Sequence, residues 1–158
     1  MLCQLDQVKQ ILDIAIAVKN SLEGDSGIID HRDYDRKACS VIFGLLLLKN
    51  YDVFIQAGVL AAGEKEYDHF WIEVYLDNEA FVLDVTLSRL AENIKKELPE
   101  ICFMPKEEAV EVYGYGPGRD YEWRREDCEK TLWQKVLAAL DIHTPLDELL
   151  DEIDETLS

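Results

Sequence analysis

The chain predicts an α+β fold in which helices flank an antiparallel sheet. Three observations carry that expectation. A helix-period apolar pattern opens the chain, an eight-residue apolar run follows it, and three strand-like runs come next, two of them flanking Asp77-Asn78.

From Gln4 to Leu22 the residues Leu5, Val8, Leu12, Ala15, Ile16 and Val18 recur at three- and four-residue steps, which predicts an amphipathic helix closed by Gly24. Gly24 to Arg36 is polar and irregular and reads as a loop. A second helix is expected from about Asp35 to Lys49, with Asn50 as a left-handed C-cap. Its body, Val41-Ile-Phe-Gly-Leu-Leu-Leu-Leu48, is apolar on every side, and such a helix belongs inside a protein.

Val53 to Leu60 reads as the first strand. Asp68 to Leu76 and Ala80 to Thr86 form a hairpin across Asp77-Asn78. Ile101 to Met104 suits a short strand, and Tyr113-Gly-Tyr-Gly-Pro-Gly118 reads as a loop. Tyr121 to Leu140 reads as a helix. Thr144 and Pro145 then supply an N-cap and first helical residue for a last acidic helix. In that helix Leu146, Leu149, Leu150 and Ile153 make an apolar docking stripe, on this domain or on a partner. The expectation is one domain over 1–158, with its core at 35–86 and C-terminal helices within 120–157.

Composition narrows the function classes. The 158 residues hold 16 Lys and Arg against 33 Asp and Glu, a formal charge of −17. A nucleic-acid or anionic-membrane binder needs a basic footprint, which this composition lacks. A hydrophobic fraction of 48% is too high for a disordered acidic chain and supports a packed core without disulfide or metal staples. Cys3, Cys39, Cys102 and Cys128 are widely spaced, unlike a disulfide framework or a structural zinc site. The first residues do not read as a signal peptide, and no apolar run approaches a membrane span. A cytoplasmic protein with no metal or organic cofactor is expected.

The chemistry-bearing residues fall on the second helix and the hairpin. In the first turn of a helix, Cys39 would feel the macrodipole and open N–H groups, both of which favour thiolate. A nucleophilic thiol also needs a base close in space. Alternation puts His69, Trp71, Glu73 and Tyr75 on one face of their strand and Phe70, Ile72, Val74 and Leu76 on the other. With Leu76 opposite Glu79, Phe70, Ile72 and Val74 oppose Val85, Leu83 and Phe81 in one apolar face. The same register makes His69 and Asp84 diagonal neighbours.

Cys39-Ser40 before a leucine-rich helix, His69-Phe-Trp-Ile-Glu73 and Val82-Leu-Asp84-Val-Thr86 together resemble the core of the transglutaminase-like branch of the papain-like cysteine enzymes. The resemblance spans Asp35 to Thr86, about a third of the chain. It implies a central helix carrying Cys39 as nucleophile, packed on an antiparallel sheet carrying His69 as general base and then acid, and Asp84 as orienting carboxylate. Arg36-Lys37-Ala38 depart from the glycine and aromatic that many members carry before the cysteine.

Two functions are expected from this. The first is a thiol-dependent acyl-transfer enzyme, a cysteine peptidase or amidase acting on a peptide or protein amide through a thioester. The second is a catalytically silent acidic binding module on the same fold, immunity- or inhibitor-like, suited to a basic protein partner. Trp71 is a candidate substrate contact, although packing beside the imidazole is its simpler role. Glu73, His31 and His143 are expected at the surface.

Overall fold

A computed structural model describes residues 3–23, 31–90 and 97–158. It is an α+β structure with a five-stranded antiparallel sheet and, among the described residues, five α-helices. In chain order these are α1 (Gln4–Glu23), α2 (His31–Leu48), β1 (Asp52–Ala62), β2 (Lys65–Leu76), β3 (Glu79–Asp84), β4 (Cys102–Pro105), α3 (Lys106–Tyr113), β5 (Tyr115–Tyr121), α4 (Lys130–Ala139) and α5 (Leu146–Leu157). Short 3-10 turns lie at Leu87–Leu90 and Arg125–Asp127. The strand order is β4-β3-β2-β1-β5.

The hairpin register is the one the apolar pattern predicts. Leu76 pairs with Glu79, Val74 with Phe81 and Ile72 with Leu83, and both turn residues, Asp77 and Asn78, have positive φ. Strand β3 ends at Asp84, two residues earlier than expected.

The sheet has two differently covered faces. On one, Val53, Ile55, Phe70, Ile72, Val74, Leu83 and Val85 pack with buried residues of α1, α2, α4 and α5. On the other, Leu60, Trp71 and Val82 pack beneath Ala109 of α3, Leu87 and Leu90. Helix α2 is central as expected: Ala38 to Leu46 are buried without interruption, and α2 touches α1, α5, β1 and β2. Asn50 ends it at φ 68°, and the Tyr51 N–H donates back to the Leu46 carbonyl at 3.1 Å. In α1 the buried stripe is Ile11, Ile14, Ala15, Val18 and Leu22, whereas Leu5 and Ile16 are exposed. The phase of the stripe is therefore shifted from the expected one.

Three expectations need correction. Helix α2 begins at His31, so residues 31–36 are helical, while the remainder of the expected loop, 24–30, lies outside the described residues. Its polar first turns are held by partners elsewhere: Asp35 faces His69, the Arg89 guanidinium lies 3.7 Å from the Tyr34 ring centre, and Arg36 pairs with Asp127 at 3.4 Å. The Tyr113–Gly118 segment is not a loop. Gly114 caps α3 at φ 80°, and Tyr115 begins β5. Its Gly and Pro content suits an edge strand, where Pro117 needs no ladder donor. Gly58 and Gly118 also leave room for the Trp71 ring, which a Cβ on either would meet at 2.6 and 3.0 Å. Finally, 121–129 is not α-helical, and its only helical turn is the 3-10 turn at Arg125–Asp127. Helix α4 starts at Lys130, where the Glu129 carboxylate accepts the Thr131 and Leu132 N–H groups at 3.1 and 2.7 Å.

The last helix docks on its own chain, with Leu149, Leu150 and Ile153 buried and Ile153 against α2. Pro145 precedes its first residue, and Thr144 makes no capping bond. A Cβ at Gly44 would come within 2.7 Å of Ile153 and 2.9 Å of Trp133, so three helices meet at van der Waals distance there. Gly44→Val is expected to cost at least about 2 kcal/mol by overpacking this junction. Chemical denaturation checks it; an unchanged midpoint would contradict the packing.

Candidate functional site

His69 sits in β2 with its side chain fully buried, and β3 has already ended at this level of the sheet. Its Nε2 lies 2.6 Å from Asp84 Oδ2, the pair anticipated from the hairpin register. Its Nδ1 lies 2.7 Å from Asp35 Oδ2, a contact the sequence did not suggest. Both ring nitrogens therefore face carboxylates.

Asp84 is fully satisfied. Oδ2 also accepts the Tyr115 hydroxyl at 2.6 Å, while Oδ1 accepts the Thr86 N–H at 2.9 Å and its hydroxyl at 3.2 Å. Four elements converge here: α2 brings Asp35, β2 brings His69, the end of β3 brings Asp84 and β5 brings Tyr115. The Trp71 ring stacks beside the imidazole at 6.3 Å and meets Tyr115 edge-on at 5.1 Å. Trp71 is buried and packs within this cluster.

The electrostatics follow from burial and pairing. Burial alone would lower the His69 pKa, but the charges and hydrogen bonds of Asp84 and Asp35 outweigh it and raise the pKa from 6.5 to about 10. Burial would likewise raise Asp84, yet the His69 charge and the hydrogen bonds from His69, Tyr115 and Thr86 hold it below its ordinary value. Burial, and then Asp84, push the Tyr115 hydroxyl well up. An imidazole donating to two carboxylates is an imidazolium at neutral pH and has no lone pair to offer.

Cys39 differs from its expected setting. It is the ninth residue of α2 rather than part of the first turn, so the open N–H groups of the helix start are not beside it. It lies in the core among the residues of the α2 face, and no hydrogen bond reaches its sulfur among the described residues. Burial, then Asp35 and Asp84, push its thiol well above 9.0, opposite to the depression expected of a nucleophile. Asp35 lies four residues earlier on the same helix, about 6 Å along the axis, and it is Asp35 that meets His69.

Elsewhere, Cys102 and Cys128 are raised to about 12, mainly by burial. Glu73 is buried rather than solvent-facing: it accepts the Tyr75 hydroxyl at 3.2 Å and pairs with Lys106 at 3.1 Å. His143 is exposed, and the His31 side chain lies outside the described residues. No group of metal-ligating side chains with suitable geometry occurs among the described residues, and no helix there is long and apolar enough to cross a membrane.

Sequence reasoning missed two members of the cluster. Asp35 stands at the margin of the expected loop, although its spacing of one turn from Cys39 puts both on one helix face. Tyr115 was hidden by the glycines around it. Comparison with protein-family models, curated proteins and solved structures found no match.

The cluster sets a pH dependence. A histidine whose pKa is raised on folding contributes fully below 6.5, and its contribution is lost as pH climbs toward about 10. A carboxylate held low contributes above its ordinary value of 3.8 and loses that contribution as pH falls. Unfolding free energy is thus expected to fall from pH 6.5 upward, before the thiols of the unfolded chain ionise near 9.0. Asp84→Asn should cost about 3–5 kcal/mol at pH 6, because it leaves a buried charge poorly paired, and should flatten this alkaline fall. Denaturant titrations across pH check both; a mutant with unchanged stability would contradict a structural role for the carboxylate.

Proposed function

We propose that this chain is an acidic protein-binding module built on a transglutaminase-like, papain-like scaffold, in which the thiol of Cys39 is chemically silent. The observation that carries this reading is Asp35 on His69 Nδ1 at 2.7 Å. With Nε2 held by Asp84, Nδ1 is the nitrogen a nucleophile would have to use. A carboxylate there cannot be activated by an imidazolium as a thiol could, and the charge of both carboxylates keeps His69 protonated.

The order of helix, strand and strand for Asp35, His69 and Asp84 supports the scaffold assignment, as does the buried central helix against an antiparallel sheet. Silent chemistry leaves recognition as the role of the surface, and a charge of −17 favours basic protein partners.

The thiol-enzyme reading keeps one observation in its favour, the His69–Asp84 pair. As a cysteine peptidase or amidase the protein would need Asp35 to leave Nδ1 and Cys39 to reach it. The two readings separate on thiol chemistry. With Cys3, Cys102 and Cys128 replaced by Ser, native Cys39 is expected to resist alkylation at all pH values where the fold is intact, and to react only on unfolding. Rapid native alkylation with an inflection well below about 8.5 that moves upward in His69→Ala would overturn the silent reading. The complementary variant is Asp35→Cys in a background lacking the other cysteines. Its thiol should form an ion pair with His69 and show thiolate absorbance at neutral pH, a signature that Cys39 itself lacks.

A further inference from the structure

A cavity on the surface lies away from the buried cluster. It has a volume of about 540 Å³ and opens between the end of α2, β1, the end of β5 and the last turn of α5. That volume is in the range of sites that hold a ligand or a large side chain. Phe43, Leu47, Tyr51, Trp123 and Leu157 make its wall apolar. The Trp123 indole N–H already donates to the Ser40 carbonyl at 3.2 Å, so it brings no unsatisfied donor to the cavity. Leu157 is 46% exposed, an apolar side chain left at the mouth without cover.

The charged side chains that line this cavity are all acidic, with Arg125 reaching Asp154 from outside the lining. Asp52, Asp120, Glu122 and Asp154 line it, and no Lys, Arg or His does. Asp120 accepts from Gln56 at 2.6 Å, and Asp154 is shared with Arg125 at 3.2 Å. Asp52 and Glu122 make no ion pair among the described residues. An apolar hollow with an acidic rim favours an apolar anchor flanked by cations, since the hollow is filled by an apolar group and the rim repels an acidic ligand and gains no charge pairing from a neutral one.

The geometry points to this cavity as the docking site for a basic peptide segment of a protein partner, one aromatic or aliphatic side chain entering the hollow and flanking Arg or Lys meeting the acidic rim. The inference rests on the binding-module reading and supplies its partner class. It shares no residue with Asp35, Cys39, His69 or Asp84. A reactive Cys39 would therefore overturn the parent reading without moving the result of the test below, and a failed titration would leave the silence of Cys39 intact.

The test is a backbone-amide NMR titration of the full chain with acetyl-Arg-Phe-Arg-amide, alongside acetyl-Arg-Ser-Arg-amide and acetyl-Glu-Phe-Glu-amide. Saturable shifts at Tyr121, Trp123 and Leu157 are expected for the first peptide, with the other two at least about tenfold weaker. The surface variant Asp52→Lys/Glu122→Lys should weaken the first peptide by a similar factor and restore binding of the Glu-Phe-Glu peptide. Equal affinity for the Arg-Ser-Arg peptide would mean diffuse charge attraction and overturn the proposal. So would shifts centred elsewhere, no saturable shift at all, or self-association of the peptide-free chain through these same residues.

Discussion

A single imidazolium between two carboxylates ties this fold together. His69 is fully buried, and so are Asp35 and Asp84 on either side of it. Taking these charges out of water is costly, and the cost is met only if every remaining donor and acceptor is well matched. Asp84 meets that condition with hydrogen bonds from His69, Tyr115 and Thr86. The requirement fixes the relative positions of α2, β2, β3 and β5 in a way that apolar packing alone does not. Buried polar groups of this kind specify a unique arrangement when fully paired and destabilise it when one member is lost.

The same constraint decides what chemistry the cluster can support. A general base needs an available lone pair, and an imidazole that donates from both nitrogens has none. The raised pKa of about 10 expresses that fact in proton affinity. Catalytic histidines in thiol enzymes keep one nitrogen for the nucleophile and give the other to an orienting group. Here the second carboxylate takes the nucleophile's place, while Cys39 lies one helical turn deeper with its thiol disfavoured from ionising. The result is a cluster suited to holding a scaffold still, and the recognition role proposed above would fall to the outer surface.

Much of this was legible in the sequence where the pattern and the packing agree. The hairpin register followed from requiring Phe70, Ile72 and Val74 to meet Phe81, Leu83 and Val85, and the same register brought His69 to Asp84. The apolar body of α2 declared its burial because no face of it could meet water. What stayed hidden depends on tertiary partners. The start of α2 looks like a loop because its residues are polar, and they are helical because Tyr34, Asp35 and Arg36 each find a partner from a distant segment. The glycines of β5 look like a turn, yet Gly118 and the facing Gly58 leave space for Trp71 in an edge strand. Misplacing the α2 start by one turn put Cys39 at a helix terminus and concealed Asp35, so one local error altered the predicted chemistry.

The protonation state of His69 tests the central claim most directly. Nitrogen-15 NMR of histidine-labelled protein at neutral pH should show both ring nitrogens protonated, with titration delayed to near pH 10. A neutral His69 at pH 7, with one nitrogen unprotonated, would contradict the carboxylate-bracketed imidazolium and return the ring to the set of available bases.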